Sequence, residues 1–130
     1  MNRKNKGICG ERELVHQFWS FGWPCIRVAG SGSNKYPSPD ILTGHAGRML
    51  AIECKVVASN KKYFTKQEVD DLKFFAKEFG AEAYVTVKFG KIWYFFSIDD
   101  LEEKDNSYLA SEEMAKIKAF LIEELIQSYE

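Results

Sequence analysis

Asp40, Glu53 and Lys55 are the residues of this 130-residue chain whose types and spacing point most directly to chemistry. In the stretch "PSPDILTGHAGRMLAIECK", Asp40 follows two prolines, and after twelve intervening residues comes Glu53-x-Lys55. Met49 to Val57 reads as an aliphatic strand. Side chains on a strand alternate faces, so Glu53 and Lys55 project to one side and Leu50, Ile52, Cys54 and Val56 to the other. A solvated pair on that face would contribute only about 0–1 kcal/mol. A strand starting at Asp40 and turning back through "TGHAGR" as a hairpin brings the Asp40 and Glu53 carboxylates together on one face. Like charges so close repel unless a cation sits between them. Hard carboxylates with no cysteine or histidine ligand suggest Mg²⁺, with Mn²⁺ as a substitute, rather than zinc. Such an ion can activate water and stabilise a pentavalent phosphate transition state. Lys55 would orient that water or offset phosphate charge; beside two carboxylates it should stay protonated.

The elements that must hold these residues follow from periodicity and turn chemistry. Residues Met1 to Lys6 read as a mobile basic arm. Ile8 to Phe21 reads as a helix with Leu14, Val15, Phe18 and Trp19 along one stripe, stopped by Gly22. Cys25 to Ala29 is a short strand, and "GSGSNKYPSP" a loop. "ASNKKYF" is a further loop. Thr65 caps a helix over Lys66 to Phe79, with Glu68 in capping-box position and Val69, Leu72, Ala76 and Phe79 as its buried stripe. Phe74 points away from that stripe. "AYVTVKF" and "IWYFFSI" are strands joined by a Gly90-Lys91 turn. Asp99 to Asn106 is an acidic loop, and Ser111 to Ser128 a last amphipathic helix along Met114, Ile117, Leu121 and Leu125. The order implies one domain over residues 1–130, an α/β (mixed α+β) fold with a central mixed sheet flanked by helices. No GxGxxG opens a helix after the first strand, which excludes a dinucleotide fold.

Composition bounds the function classes. The hydrophobic share of 45% and charged share of 28% fit a globular protein, and no apolar run is long enough to span a membrane. Three cysteines without metal spacing read as free thiols in a reducing compartment. With no apolar leader, the expectation is a cytoplasmic protein. The net charge of -1 hides an asymmetry: residues 1–66 carry 11 Lys+Arg against 4 Asp+Glu, and residues 67–130 carry 7 against 15. A local attraction to nucleic acid is therefore open to the first half. Tyr36, Tyr63 and Phe64 lie among Lys35, Lys61, Lys62 and Lys66, an interleaving suited to gripping DNA, although loop aromatics also simply pack. An arginine inside the apolar strand "CIRVA", Arg27, needs an anion if buried. His16 and His45 read as surface or satisfied residues rather than ligands.

The pattern Pro-x-Pro-Asp, twelve residues, Glu-x-Lys resembles the PD-(D/E)XK nuclease motif. With "GERELVHQFWSFGW", "RVAGSGS", "PSPDIL" and "AIECK" in that order, the chain resembles the archaeal Holliday-junction resolvases over about two thirds of its length. The resemblance implies a restriction-endonuclease-like fold. It implies that Asp40, Glu53 and Glu11 serve as metal-site carboxylates, Lys55 as the catalytic lysine and Ser31 as a catalytic loop serine. Arg12 and Arg27 would contact phosphate near the cut, and Gly30 to Tyr36 would follow the DNA. The activity implied is Mg²⁺-dependent resolution of four-way junctions by paired symmetric nicks during recombination and repair, leaving 5′-phosphate and 3′-hydroxyl ends. Two nicks on a two-fold substrate call for a homodimer, with Phe74 and the Ile92–Phe96 strand as its surface. A sliding clamp or a recombinase is the further partner such an enzyme suggests, although no motif for either stands out. The rival readings are a related nuclease acting on duplex ends, flaps or mismatches, and a non-catalytic DNA-binding module. Two carboxylates facing phosphate argue against the latter.

Overall fold

A computed structural model describes residues 3–30 and 35–127. The chain runs α1 (Arg3–Ser20), β1 (Cys25–Arg27), β2 (Ile41–His45), β3 (Arg48–Val57), β4 (Lys61–Thr65), α2 (Lys66–Phe79), β5 (Glu82–Phe89), β6 (Ile92–Ser97), β7 (Glu102–Glu103), β8 (Ser107–Ser111), α3 (Glu112–Lys118) and α4 (Ile122–Gln127). Five strands form a sheet in the order β1-β2-β3-β5-β6, and β4, β8 and β7 form a second sheet of three. Within the larger sheet β3 pairs parallel with β5 while its other neighbours pair antiparallel. The expected mixed sheet flanked by helices is therefore what forms.

Alternation along β3 divides the apolar interior into two cores. Leu50, Ile52 and Cys54 pack with Leu14 and Phe18 of α1, together with Trp23 and Phe95. Ala51, on the opposite side, packs with Val69, Leu72 and Ala76 of α2 and with Phe64 and Phe96. The two helices thus clasp one strand from both faces, and the polar end of that strand emerges between them. Thr65 caps α2 through a complete capping box, and Gly80 ends it in the left-handed conformation at φ 85°. Loss of such a cap costs about 1 kcal/mol.

Four expectations need correction. Arg3 to Lys6 belong to α1 rather than to a mobile arm, and Met1 and Asn2 lie outside the described residues. "KKYFT" is not loop but β4, because it finds a partner in β8 more than forty residues later. The acidic Asp99–Asn106 stretch is likewise shaped, by a 3-10 turn over Ile98–Asp100 and then β7. The C-terminal helix is two helices. Phe120 leaves helical geometry to exchange two 2.8 Å backbone hydrogen bonds with Phe95 at the outer edge of β6. The break lets α3 contribute Ala115 to the α2-side core and α4 contribute Ile122 and Leu125 to the α1-side core. A continuous helix would have stayed on one face. Ile117, expected on a buried stripe, is accordingly exposed.

Candidate active site

Asp40 sits immediately before β2, and register does the rest. Ile41 pairs with Ile52 across the hairpin, which sets Asp40 beside Glu53. The Asp40 backbone is fixed on both sides, its N–H donating to the Ile52 carbonyl and its carbonyl accepting from Val28 N–H. The residue is only 8% exposed, and its carboxylate accepts a 2.9 Å hydrogen bond from the Cys54 backbone N–H. The prolines before it and the ladder after it leave this side chain little freedom.

Glu53 stands beside Asp40, and its pKa is pushed up to about 8, first by burial and then by the Asp40 charge, against the opposing influence of Lys55. A carboxyl that resists ionisation beside a second carboxylate is a donor pair that a hard divalent cation would satisfy. Glu11, on α1, is raised by burial and by the charge of Asp40, while its ion pair with Arg27 at 3.4 Å opposes the rise. Lys55 Nζ pairs with Glu68 of α2 at 3.2 Å. Burial works against its ammonium, but the charges of Glu68 and Glu53 outweigh burial and hold its pKa above the ordinary lysine value.

These groups open into one cleft between α1 and α2. Glu11, Arg27, Asp40, Glu53 and Lys55 line it, and Lys35 and Lys62 extend it as basic wall. Arg27 thus finds its expected anion in Glu11, at a position where both also face the cleft. Lys6, Gln67, Glu68 and Asp71 line the cleft as well. Arg12 and Lys61 do not line it; both are exposed, and Lys61 alternates away from Lys62 along β4. Ser31 lies outside the described residues. Among the described residues no group of three His, Cys, Asp or Glu side chains converges as a metal cage. Asp40 and Glu53 lie side by side across the hairpin, each close enough to feel the other's charge, and Glu11 stands near enough to feel the Asp40 charge. Glu68 was legible only as a capping residue; its contact with Lys55 depends on how α2 docks on β3.

Two features secure the placement of Glu11. A Cβ on Gly10 would lie 2.7 Å from Val56 Cγ2 and 3.2 Å from Trp93 Cη2, so α1 approaches β3 closely only because position 10 lacks a side chain. Glu13 then accepts hydrogen bonds from Trp93 Nε1 and Lys88 Nζ, each at 2.9 Å, which ties the next turn of α1 to β5 and β6. The thiols take no comparable part. Burial raises Cys25 to about 11 and raises Cys54 as well, so both stay protonated and pack as small apolar groups.

The expected dimer surface is only partly exposed. Phe74 is 59% exposed, but Trp93, Tyr94, Phe95 and Phe96 are buried within the chain, leaving Ile92 as the open residue of that segment. Phe79, expected in the core, is half exposed and stacks on Phe75. On the same side of the sheet as α2, Ile26 and Met49 are also exposed. No helix among the described residues is long and apolar enough to cross a membrane.

Known proteins share both sequence and fold. The family model for archaeal Holliday junction resolvase (Hjc) matches residues 2–130. A crossover junction endodeoxyribonuclease Hjc from Archaeoglobus fulgidus is 42% identical over 110 residues, 84% of this chain and 81% of that protein. Its namesake from Sulfolobus acidocaldarius is 34% identical over 119 residues, 89% and 83% of the two chains. The solved structure of Archaeoglobus fulgidus Hjc, a Holliday junction resolvase from an archaeal hyperthermophile, superposes with a TM-score of 0.84 at 36% identity, covering 92% of this chain and 94% of that one. The chain belongs to the archaeal Holliday junction resolvase family.

Proposed function

We propose that this protein is an endonuclease that resolves four-way DNA junctions by hydrolysing phosphodiesters in the cleft between α1 and α2. The observation that carries the proposal is the placement of Asp40 beside Glu53 across the hairpin, in a basic-walled cleft with Lys55, in a member of this family. The donor set fits a hard divalent cation, Mg²⁺ or in its place Mn²⁺, held by Asp40 and Glu53 with Glu11 close by. Bound there, the ion would polarise the scissile phosphate and lower the pKa of water.

The chain's own residues supply the remainder. Lys55, held as an ammonium, offsets the charge that accumulates on phosphate and orients the nucleophile. Lys35 and Lys62 along the cleft wall, with Arg27, attract the DNA backbone, so binding falls steeply with salt. Phosphate contacts read no sequence, and selection of a junction follows its shape. We further infer a two-fold homodimer, because a four-way junction needs two cuts and each chain brings one Asp40–Glu53 pair. The exposed Phe74 and Phe79 of α2, with Ile26 and Met49, are its proposed surface. Free thiols and a DNA substrate fit the cytoplasm.

Comparison of wild type with Asp40→Asn on a labelled four-way junction with Mg²⁺ tests the proposal. Binding should survive while cutting is lost. Cutting by Asp40→Asn at the wild-type rate would remove the metal-site assignment. Equal cutting of duplex and flap DNA by the wild type would favour a broader nuclease.

A further inference from the structure

Glu68 occupies the third position of α2 and divides its carboxylate between two tasks. Oε1 accepts the Thr65 backbone N–H at 2.9 Å, closing the capping box, while the Glu68 N–H donates to Thr65 Oγ1 at 3.0 Å. Oε2 meets Lys55 Nζ at 3.2 Å. A lysine carries its charge on a flexible four-carbon stem and does not orient itself. On β3 the Lys55 ammonium also feels the charges of Glu53 and Asp40, and settling onto those carboxylates would occupy the groups that suit a cation. Glu68 supplies a third carboxylate on another element, one whose own position is fixed by the start of a helix.

We propose that Glu68 is a positioning residue for Lys55. The capping box of α2 fixes the carboxylate, and the carboxylate holds the ammonium in the cleft, drawn off the Asp40–Glu53 pair. The proposal rests on the assignment of Lys55 to catalysis. It gives the helix cap a second role, since the feature that starts α2 also sets the distance between α2 and the reacting end of β3.

The two roles can be separated by substitution. Glu68→Gln keeps a side-chain oxygen for the Thr65 N–H, so the cap persists, but it removes the charge facing Lys55. Thr65→Ala removes the hydroxyl of the cap and leaves the Glu68–Lys55 pair with its backbone anchor. Single-turnover cutting of a four-way junction with Mg²⁺, junction affinity and the thermal midpoint are measured for both, with Lys55→Ala alongside. Glu68→Gln should retain midpoint and affinity and lose cutting on the order of tenfold to a hundredfold. Thr65→Ala should lower the midpoint but lose much less rate than Glu68→Gln, because the Thr65 backbone N–H still anchors the carboxylate. Glu68→Gln cutting within about twofold of wild type while Lys55→Ala is inactive would overturn the positioning role and leave the lysine's role intact. A rate loss that comes only with a lowered midpoint and weakened affinity would overturn it too. Wild-type cutting by Lys55→Ala would instead remove the catalytic assignment beneath it.

Discussion

Replacing Gly10 by alanine asks how closely α1 must approach β3 for the cleft to work. The added Cβ would lie 2.7 Å from Val56 Cγ2 and 3.2 Å from Trp93 Cη2. Carbon atoms in ordinary contact stand about 3.5–4.0 Å apart, so roughly 1 Å must be found. Val56 lies on a paired strand and Trp93 is buried and hydrogen-bonded to Glu13, so the helix is the part that gives way. Overpacking of this kind costs about 1–3 kcal/mol, while alanine in place of glycine inside a helix returns about 0.8–1.0 kcal/mol. The net loss of stability should be about 0–2 kcal/mol, and the protein should still fold. Glu11 is the next residue, and a displacement of about 1 Å at a catalytic group can cost on the order of a hundredfold in rate. Gly10→Ala should therefore cut a four-way junction with Mg²⁺ far more slowly in single turnover, approaching the loss expected of Glu11→Gln measured alongside, with only a modest fall in thermal midpoint. Adding Val56→Ala removes the methyl that the new Cβ meets and should restore most of the rate. Wild-type cutting by Gly10→Ala, or failure of Val56→Ala to restore a lost rate, would refute the link between this contact and the placement of Glu11.

Glu53, at about pH 8 in the fold against an ordinary 4.5, takes up a proton on folding across that window. The metal-free protein should therefore lose stability as pH rises from about 4.5 to about 8. A bound cation relieves the repulsion, so the rise in thermal midpoint on adding Mg²⁺ should be larger at pH 8.5 than at pH 6, and Glu53→Gln should flatten both trends; equal rises at the two pH values would contradict this. For assembly, light scattering at micromolar concentration should give twice the 15.0 kDa chain mass for the wild type and a monomer for Phe74→Glu. A monomeric wild type would end the dimer proposal.

The carboxyl pair was legible in the sequence because its geometry is local. A hairpin and the two-residue period of a strand suffice to bring Asp40 to Glu53, and the observed register does so. The α2 cap was legible for the same reason, since Thr65 and Glu68 are three residues apart. What escaped were features set by partners distant along the chain. β4 is polar in three of its five residues and became a strand only through β8. Helical spacing marked Phe79 and Ile117 as buried, yet periodicity says which residues share a face and not how far the neighbouring layer extends. Phe79 sits at the end of α2, half exposed, and Ile117 precedes the turn at Phe120 that carries the chain around the sheet edge. The basic residues divided similarly: Lys62 reached the cleft and Lys61 did not, because strand alternation separates neighbours that look equivalent in sequence.

The charges at the end of β3 are provisioned unequally, in the way the proposed cation site requires. Asp40 has a backbone N–H donor, Glu11 has Arg27, and Lys55 has Glu68. Glu53 instead faces the charge of another carboxyl, and the lysine two residues away shares its charge with Glu68. Were the cluster merely structural, moving the ammonium onto Glu53 would satisfy both groups at once. The arrangement keeps the ammonium on α2's carboxylate and leaves the Asp40–Glu53 pair short of positive charge, the condition under which a cation binds most favourably. Two apolar cores on either side of β3 make that unfavourable concentration of charge tolerable, and loss of the proposed cation ligands should damage cutting far more than folding.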